Sequence, residues 1–279
     1  VHDLSFPTFI TTHPHAILVE IREAKGSTPR EAGTFMLVAD TAIWGTIGGG
    51  QFEYMAIDNA RAMLAGRGEA AMDIPLGPEI GQCCGGHTRL AFRPLTPELA
   101  EMLERRLREE EDDRPAVALF GSGHVGQALA KALVPLPFAV TVIETRAEAL
   151  EDLPDDTARH LTAMPEAFVD KIPAGGAAII LTHDHALDFL IAQRALARHD
   201  LAYVGMIGSR TKRATFSHWL KRQGDDDSDG MMSRLVLPIG GAAVKDKRPA
   251  VIAALVAAEL LETYAARQEQ TSKRQIPTA

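Results

Sequence analysis

Hydrophobic and polar positions divide the chain into two stretches with different rhythms. In the first, the apolar run from Ala16 to Ala24 predicts a strand over 16–24, and Thr34-Phe-Met-Leu-Val38 a second over 34–38. Lys25-Gly-Ser-Thr-Pro-Arg-Glu-Ala-Gly33 between them is turn-forming and charged. A short strand is read at 42–44, and a helix over 53–64 places Tyr54, Ile57, Ala60 and Leu64 on one face. The alternating segment Thr88 to Phe92 predicts a strand, and the charged stretch 97–111 a helix.

The second stretch alternates strand and helix. Strands are expected at 116–120, 138–143, 177–182, 202–206 and 235–238, with helices at 124–134, 185–198 and 210–223. That order predicts a parallel sheet with crossover helices. Residues 249–266 form a long apolar helix with Pro249 in its first turn, and the tail from Arg267 is polar and expected to fray. Asp112-Asp-Arg-Pro115 reads as a linker. The fold class is therefore α/β: an N-terminal mixed α/β domain over 1–111, then a Rossmann-like domain with a mainly parallel sheet over 112–279.

The strongest chemical signal opens the second stretch. The strand ending at Phe120 runs into Gly121, Gly123 and Gly126, a helix starts inside the pattern, and the next strand ends in Glu144, 18 residues past the last glycine. Gly121 permits the tight turn, Gly123 lets backbone approach a phosphate, and Gly126 lets helix pack on strand. The helix N-terminus favours an anion, and Glu144 can accept ribose hydroxyls, although Arg146 nearby works against that preference. His183-Asp184-His185 lies beyond another strand, where ligands of open α/β sheets bind. Asp184 also suits the N-cap of the following helix, so ligand contact and capping are both open. Gly205-Met-Ile-Gly-Ser-Arg-Thr-Lys212 is a further strand-to-helix junction, with Ser209 suited to the cap and Arg210 and Lys212 facing a possible phosphate.

Two glycine-rich segments mark the first stretch. Gly48-Gly-Gly50, with Gly49 at its centre, precedes Glu53 and exposes N–H groups to an anionic ligand, unless it is merely a tight turn. Arg30, beside Ser27 and Thr28, would add donors on a loop. Gln82, Cys83 and Cys84 sit between Gly81 and Gly85-Gly86, which leaves the thiols reachable. Soft thiolates suit molybdenum, copper, zinc or a transferred sulfur atom, while two buried, inert cysteines are the plainer alternative. A common zinc site lacks its second ligand pair, since only His87 is near. Asp225, Asp227, Asp229 and Gly230 open like a calcium loop, but Val236 stands at the twelfth position where a bidentate Glu is needed, so a hydrated loop is expected.

Bulk properties narrow the classes. A net charge of −8 argues against a nucleic-acid partner. Hydrophobic content of 46% and charged content of 24% are those of a globular protein. No run reaches the ~18 apolar residues of a membrane span, and no signal peptide is visible. With only two cysteines, and those adjacent, disulfide staples are not expected, and a cytoplasmic location is.

Taken together, the motifs resemble the xanthine dehydrogenase accessory proteins of the XdhC/CoxI family. The matching pieces are Gly26-Ser-Thr-Pro-Arg30, Gly45-Thr-Ile-Gly-Gly-Gly50 with Glu53, Gly81-Gln-Cys-Cys-Gly-Gly86, the fingerprint at 121–126, Leu181-Thr-His-Asp184 and Tyr203-Val-Gly-Met-Ile-Gly-Ser-Arg210. Gly240-Gly-Ala-Ala-Val-Lys-Asp-Lys-Arg-Pro249 departs from the family's usual ending. The resemblance implies an accessory protein that is not itself an enzyme. Such a chaperone binds the molybdenum cofactor (molybdopterin), supports its sulfuration by a cysteine desulfurase and inserts it into the xanthine dehydrogenase apoenzyme. It further implies a homodimer, and Cys83 and Cys84 as molybdenum or sulfur contacts; bare glycine amides with this thiol pair would form a pocket between the two halves, and no membrane is expected. The rival expectation is an oxidoreductase linked to NAD(P) or FAD, held at 121–126.

Overall fold

The computed structural model describes residues 4–78, 85–224, 227–241 and 243–275. The chain divides into two compact units, Val1–Glu110 and Glu111–Ala279.

The first unit is built on an antiparallel sheet in the order β3-β2-β1-β5-β4. Its strands are β1 (Ile17–Lys25), β2 (Phe35–Val38), β3 (Ile43–Gly45), β4 (Ala71–Pro75) and β5 (His87–Pro94). Side chains alternate across a strand, so β1 supplies two cores. Ile17, Val19 and Ile21 pack with Phe52, Ala56, Ile57 and Ala60 of helix α2 (Gly50–Leu64). Leu18 packs the opposite way, with Phe6 and Phe9 of α1 (Phe6–Thr12) and Leu103 of α3 (Pro97–Asp112). Tyr54, expected on one face with Ile57, Ala60 and Leu64, is 64% exposed, because the buried stripe of α2 is formed by Phe52, Ala56, Ile57 and Ala60.

The second unit carries a six-stranded, wholly parallel sheet in the order β11-β10-β9-β6-β7-β8. The strands are β6 (Ala116–Phe120), β7 (Ala139–Glu144), β8 (Ala158–Leu161), β9 (Ala177–Ile180), β10 (Tyr203–Met206) and β11 (Leu235–Val236). On one face, Val117 and Leu119 meet Leu129 and Leu133 of α4 (His124–Leu133) and Val256 and Leu260 of α8 (Pro249–Gln275). On the other, Ala118 and Phe120 meet Phe189 and Ile191 of α5 (His185–Ala197) and Phe216 of α6 (Arg210–Gln223). This is the fold class the sequence predicts.

Three features depart from expectation. Where a hydrated loop was expected, Ser228–Arg234 forms helix α7; Asp225 lies outside the described residues. Helix α8 continues past Arg267 to Gln275. Within it, Pro249–Gln270 is long and apolar enough to cross a membrane by length and composition, with mean hydropathy 1.5, contrary to the expectation of no such segment. Counting unbroken apolar residues missed it because Glu259 and Glu262 interrupt a stretch rich in Ala, Val and Leu. In the fold, Ala253, Val256, Ala257 and Leu260 turn one face of this helix into the core of the sheet.

Candidate functional sites in the two units

In the first unit, three glycine-bearing loops meet beyond the ends of β1 and β5. Gly48 has φ +131°, and a Cβ there would stand 2.6 Å from Cβ of Pro29 and 3.7 Å from Cγ of Arg30. Ser27 pairs with Gly85 in an isolated parallel bridge, and a Cβ on Gly86 would fall 2.1 Å from the carbonyl oxygen of Ser27. Leu76 anchors the third loop, accepting from the N–H of Gly85 at 2.9 Å and donating to the carbonyl of Gly86 at 2.8 Å. The loop that carries Arg30 thus touches Gly48 at Pro29 and Arg30, and Gly85-Gly86 at Lys25 to Ser27. Gln82, Cys83 and Cys84 lie outside the described residues, immediately before Gly85 in the sequence.

Glu53 does something the sequence reading did not foresee. Its Oε2 accepts from the N–H of Ile47 at 2.8 Å, the N–H of Gly49 at 3.1 Å and the hydroxyl of Thr46. The carboxylate therefore occupies amides that seemed bare in sequence, as an acid at a helix N-terminus is stabilised by unsatisfied donors. Gly49 and Gly50 hold the turn with φ of +75° and +69°, a region other residues avoid. Arg30, by contrast, is exposed and has no hydrogen bond or ion pair among the described residues. Among the described residues no three His, Cys, Asp or Glu side chains group as a metal site.

The second unit holds a cleft of about 250 Å³ where β6 and β9 lie side by side and the strand order reverses. Gly121, Gly123, His124, Glu144, Thr182 and His183 are among its lining residues. Gly121 has φ +110°, and a Cβ on it would stand 2.8 Å from the carbonyl oxygen of Leu181. One on Gly126 would stand 2.1 Å from the carbonyl oxygen of Gly121. Gly123 differs: it N-caps α4 at an ordinary φ of −64°, and nothing lies within 4 Å of where its Cβ would be.

Glu144 is buried at the end of β7. Its Oε2 accepts from the N–H of Ser122 at 3.0 Å and the Ser122 hydroxyl at 2.9 Å, and its Oε1 from the N–H of Thr145 at 2.8 Å. Burial alone would raise its pKa. The donors of Ser122 and Thr145, with Arg146 3.5 Å away, outweigh it and hold the carboxyl at about 2. A depressed pKa means stability that is fully present above the unfolded value of 4.5 and lost as pH falls toward about 2. We expect Glu144→Gln to flatten the acid limb of stability by about 1 kcal/mol per pH unit across that window. Urea unfolding at stepped pH checks this; identical slopes in the two proteins would contradict it.

The chain matches the model described as the XdhC Rossmann domain over residues 117–260, more than half its length, and the model of the XdhC and CoxI family over 11–74. The chain belongs to the XdhC/CoxI family. It is 28% identical over 258 residues to the uncharacterized protein YqeB of Escherichia coli (strain K12), covering 88% of this chain. It spans about 43% of the length of that relative. A crystal structure titled as a xanthine dehydrogenase from Bacillus halodurans shares the fold, with a TM-score of 0.77, 18% identity, and coverage of 94% of this chain and 95% of the other.

Around the cleft of this XdhC-type Rossmann unit, Asp184 takes the capping role that the sequence left open beside ligand contact, and Lys212 departs from the role read in sequence. Asp184 caps α5, accepting from the N–H of Ala186 at 2.8 Å, while His183 stays exposed on the cleft wall. Lys212, expected to face a phosphate, turns inward to the fully buried Asp188 and donates to the carbonyl of Ile207 at 2.9 Å. Asp188 also accepts from the N–H of Thr182 at 3.1 Å and its hydroxyl at 2.7 Å. The pair ties the loops after β9 and β10 beneath the cleft. Its sequence signal was slight: an acid one turn past an N-cap and a lysine one turn into a helix.

Proposed function

We propose that this protein is an accessory factor in xanthine dehydrogenase maturation whose first unit carries the molybdenum cofactor as cargo. In this reading it keeps the cofactor while a cysteine desulfurase supplies the sulfido ligand, and passes it to the apoenzyme. Family membership supports the maturation role. The observation that supports the cargo role is that the loop carrying Arg30 packs against both Gly48 and Gly85-Gly86, with Cys83 and Cys84 next in sequence to the latter.

The described residues fit the anionic end of such a guest. Among the described residues the Arg30 guanidinium is uncommitted, and Gly49 and Gly85 have nothing within 4 Å of their absent side chains. The amides of Ile47 and Gly49 are already satisfied by Glu53, so anion recognition falls to Arg30. The cargo brings a soft metal centre, and the thiols of Cys83 and Cys84 are the chain's soft ligands. We expect the double substitution Cys83→Ala and Cys84→Ala to leave folding intact and to abolish activation of apo-xanthine dehydrogenase. Full activation by the double variant would remove the thiols from this reading.

A further inference from the structure

The Glu53 carboxylate, at the start of α2, has no part in the chemistry so far assigned to the first unit. We propose, resting on the cargo reading above, that Glu53 is a positioning residue. It touches no cargo itself. It holds the turn 46–49 as the wall on which the stem of Arg30 is seated for the anionic end of the cofactor.

Three observations carry this. The first is that the turn cannot hold its own shape. Gly48, Gly49 and Gly50 follow one another at φ of +131°, +75° and +69°, and consecutive glycines leave the backbone free to take many other conformations. The second is that Glu53 anchors it. Its Oε2 accepts from the N–H groups of Ile47 and Gly49 at 2.8 Å and 3.1 Å. The amide between them, that of Gly48, donates at 3.1 Å to the hydroxyl of Thr46, which itself donates to the same Oε2. All three amides of the turn thus lead to one carboxylate oxygen. The third is position. Gly48 is packed on the loop that carries Arg30, where a Cβ would stand 2.6 Å from Cβ of Pro29 and 3.7 Å from Cγ of Arg30. Whatever moves the turn moves the surface on which the Arg30 stem lies.

A direct role for Glu53 fits less well. Among the described residues Arg30 makes no ion pair, so Glu53 does not neutralise it and leaves the guanidinium to a guest. A carboxylate set against an anionic guest would weaken its binding, whereas this one is turned into the chain by three donors on a single oxygen. Hydrogen bonds to an ionised acceptor are roughly twice as strong as neutral ones, so the charge of Glu53 is what makes the clamp firm. Glu53→Gln keeps the shape of the side chain and weakens only that hold.

The test is a double-mutant cycle on the cofactor-loaded full chain, with Glu53→Gln, Arg30→Gln and the two combined. Pterin released after dilution gives a dissociation rate, and urea unfolding gives stability. Each single variant is expected to release pterin about tenfold faster than the wild type, and the double variant no faster than Arg30→Gln alone. The stability lost through Glu53→Gln should be the same with and without Arg30. A purely structural role would give that result too, but it would leave the release rates multiplying. Should Glu53→Gln fail to fold, Thr46→Val takes its place with the same expectation, since it removes the exposed hydroxyl that links Gly48 to Glu53. Wild-type release from Glu53→Gln, or rates that multiply in the double variant, would overturn the proposal and leave the cargo reading standing. A wild-type protein that carries no pterin would overturn the cargo reading, and this inference with it.

Discussion

Replacing Lys212 with Met should destabilise the second unit by about 3–5 kcal/mol, the cost of leaving one partner of a buried ion pair alone. Asp188 is fully buried, and Lys212 is its only cationic partner among the described residues. The two Thr182 donors would remain, but they are neutral. Methionine keeps the length and apolar stem of lysine, so lost packing adds little. The carbonyl of Ile207 would lose its donor as well. Adding Asp188→Asn to Lys212→Met should recover most of the loss, because Asn keeps an acceptor for Thr182 and removes the stranded charge. Urea unfolding of the full chain measures both. A single variant within 1 kcal/mol of wild type would show that the pair is not what holds the loops after β9 and β10.

A single methyl group on Gly86 is expected to break the contact between its loop and the loop that carries Arg30. Its Cβ would stand 2.1 Å from the carbonyl oxygen of Ser27 and 2.9 Å from that of Lys25, both backbone atoms with no rotamer to escape into. Overpacking of this kind costs about 1–3 kcal/mol, and here the simplest relief is to break the Ser27–Gly85 bridge. Gly86→Ala should therefore lose protection from hydrogen exchange at residues 85–88 and, on the proposed cargo role, retain less cofactor. Gly85→Asn is the control: its φ of +67° suits Asn, and nothing lies within 4 Å of its Cβ. Equal behaviour of the two variants would contradict the docking argument.

The second unit was the more legible in sequence because strand and helix signals there are long and punctuated. Ala118 and Phe120 alternate with Val117 and Leu119, and glycine, helix and Glu144 follow at the spacing a phosphate turn requires. What escaped were elements with little apolar burial. Strand β8 buries none of its four residues, and β4 is an edge strand that buries only Ile74 and ends in Pro75. Helix α1 is seven residues long, too short for periodicity to emerge.

At the sites, residue types were easier to read than their partners. The glycine turn before α2 is visible in Gly48-Gly-Gly50, but whether its amides face a guest or the chain's own Glu53 depends on a side-chain rotamer. Lys212 likewise had two plausible directions, and only the buried Asp188 from another element decides between them. Asp184 could be settled only by its distances to the first amides of α5.

The most direct test of the cargo reading is to purify the full chain from cells that make the molybdenum cofactor and to assay bound molybdenum and pterin together. The wild type should carry both in equal amounts, and the Cys83→Ala, Cys84→Ala protein neither. A wild-type protein free of molybdenum and pterin, or a double variant that retains both, would contradict the account.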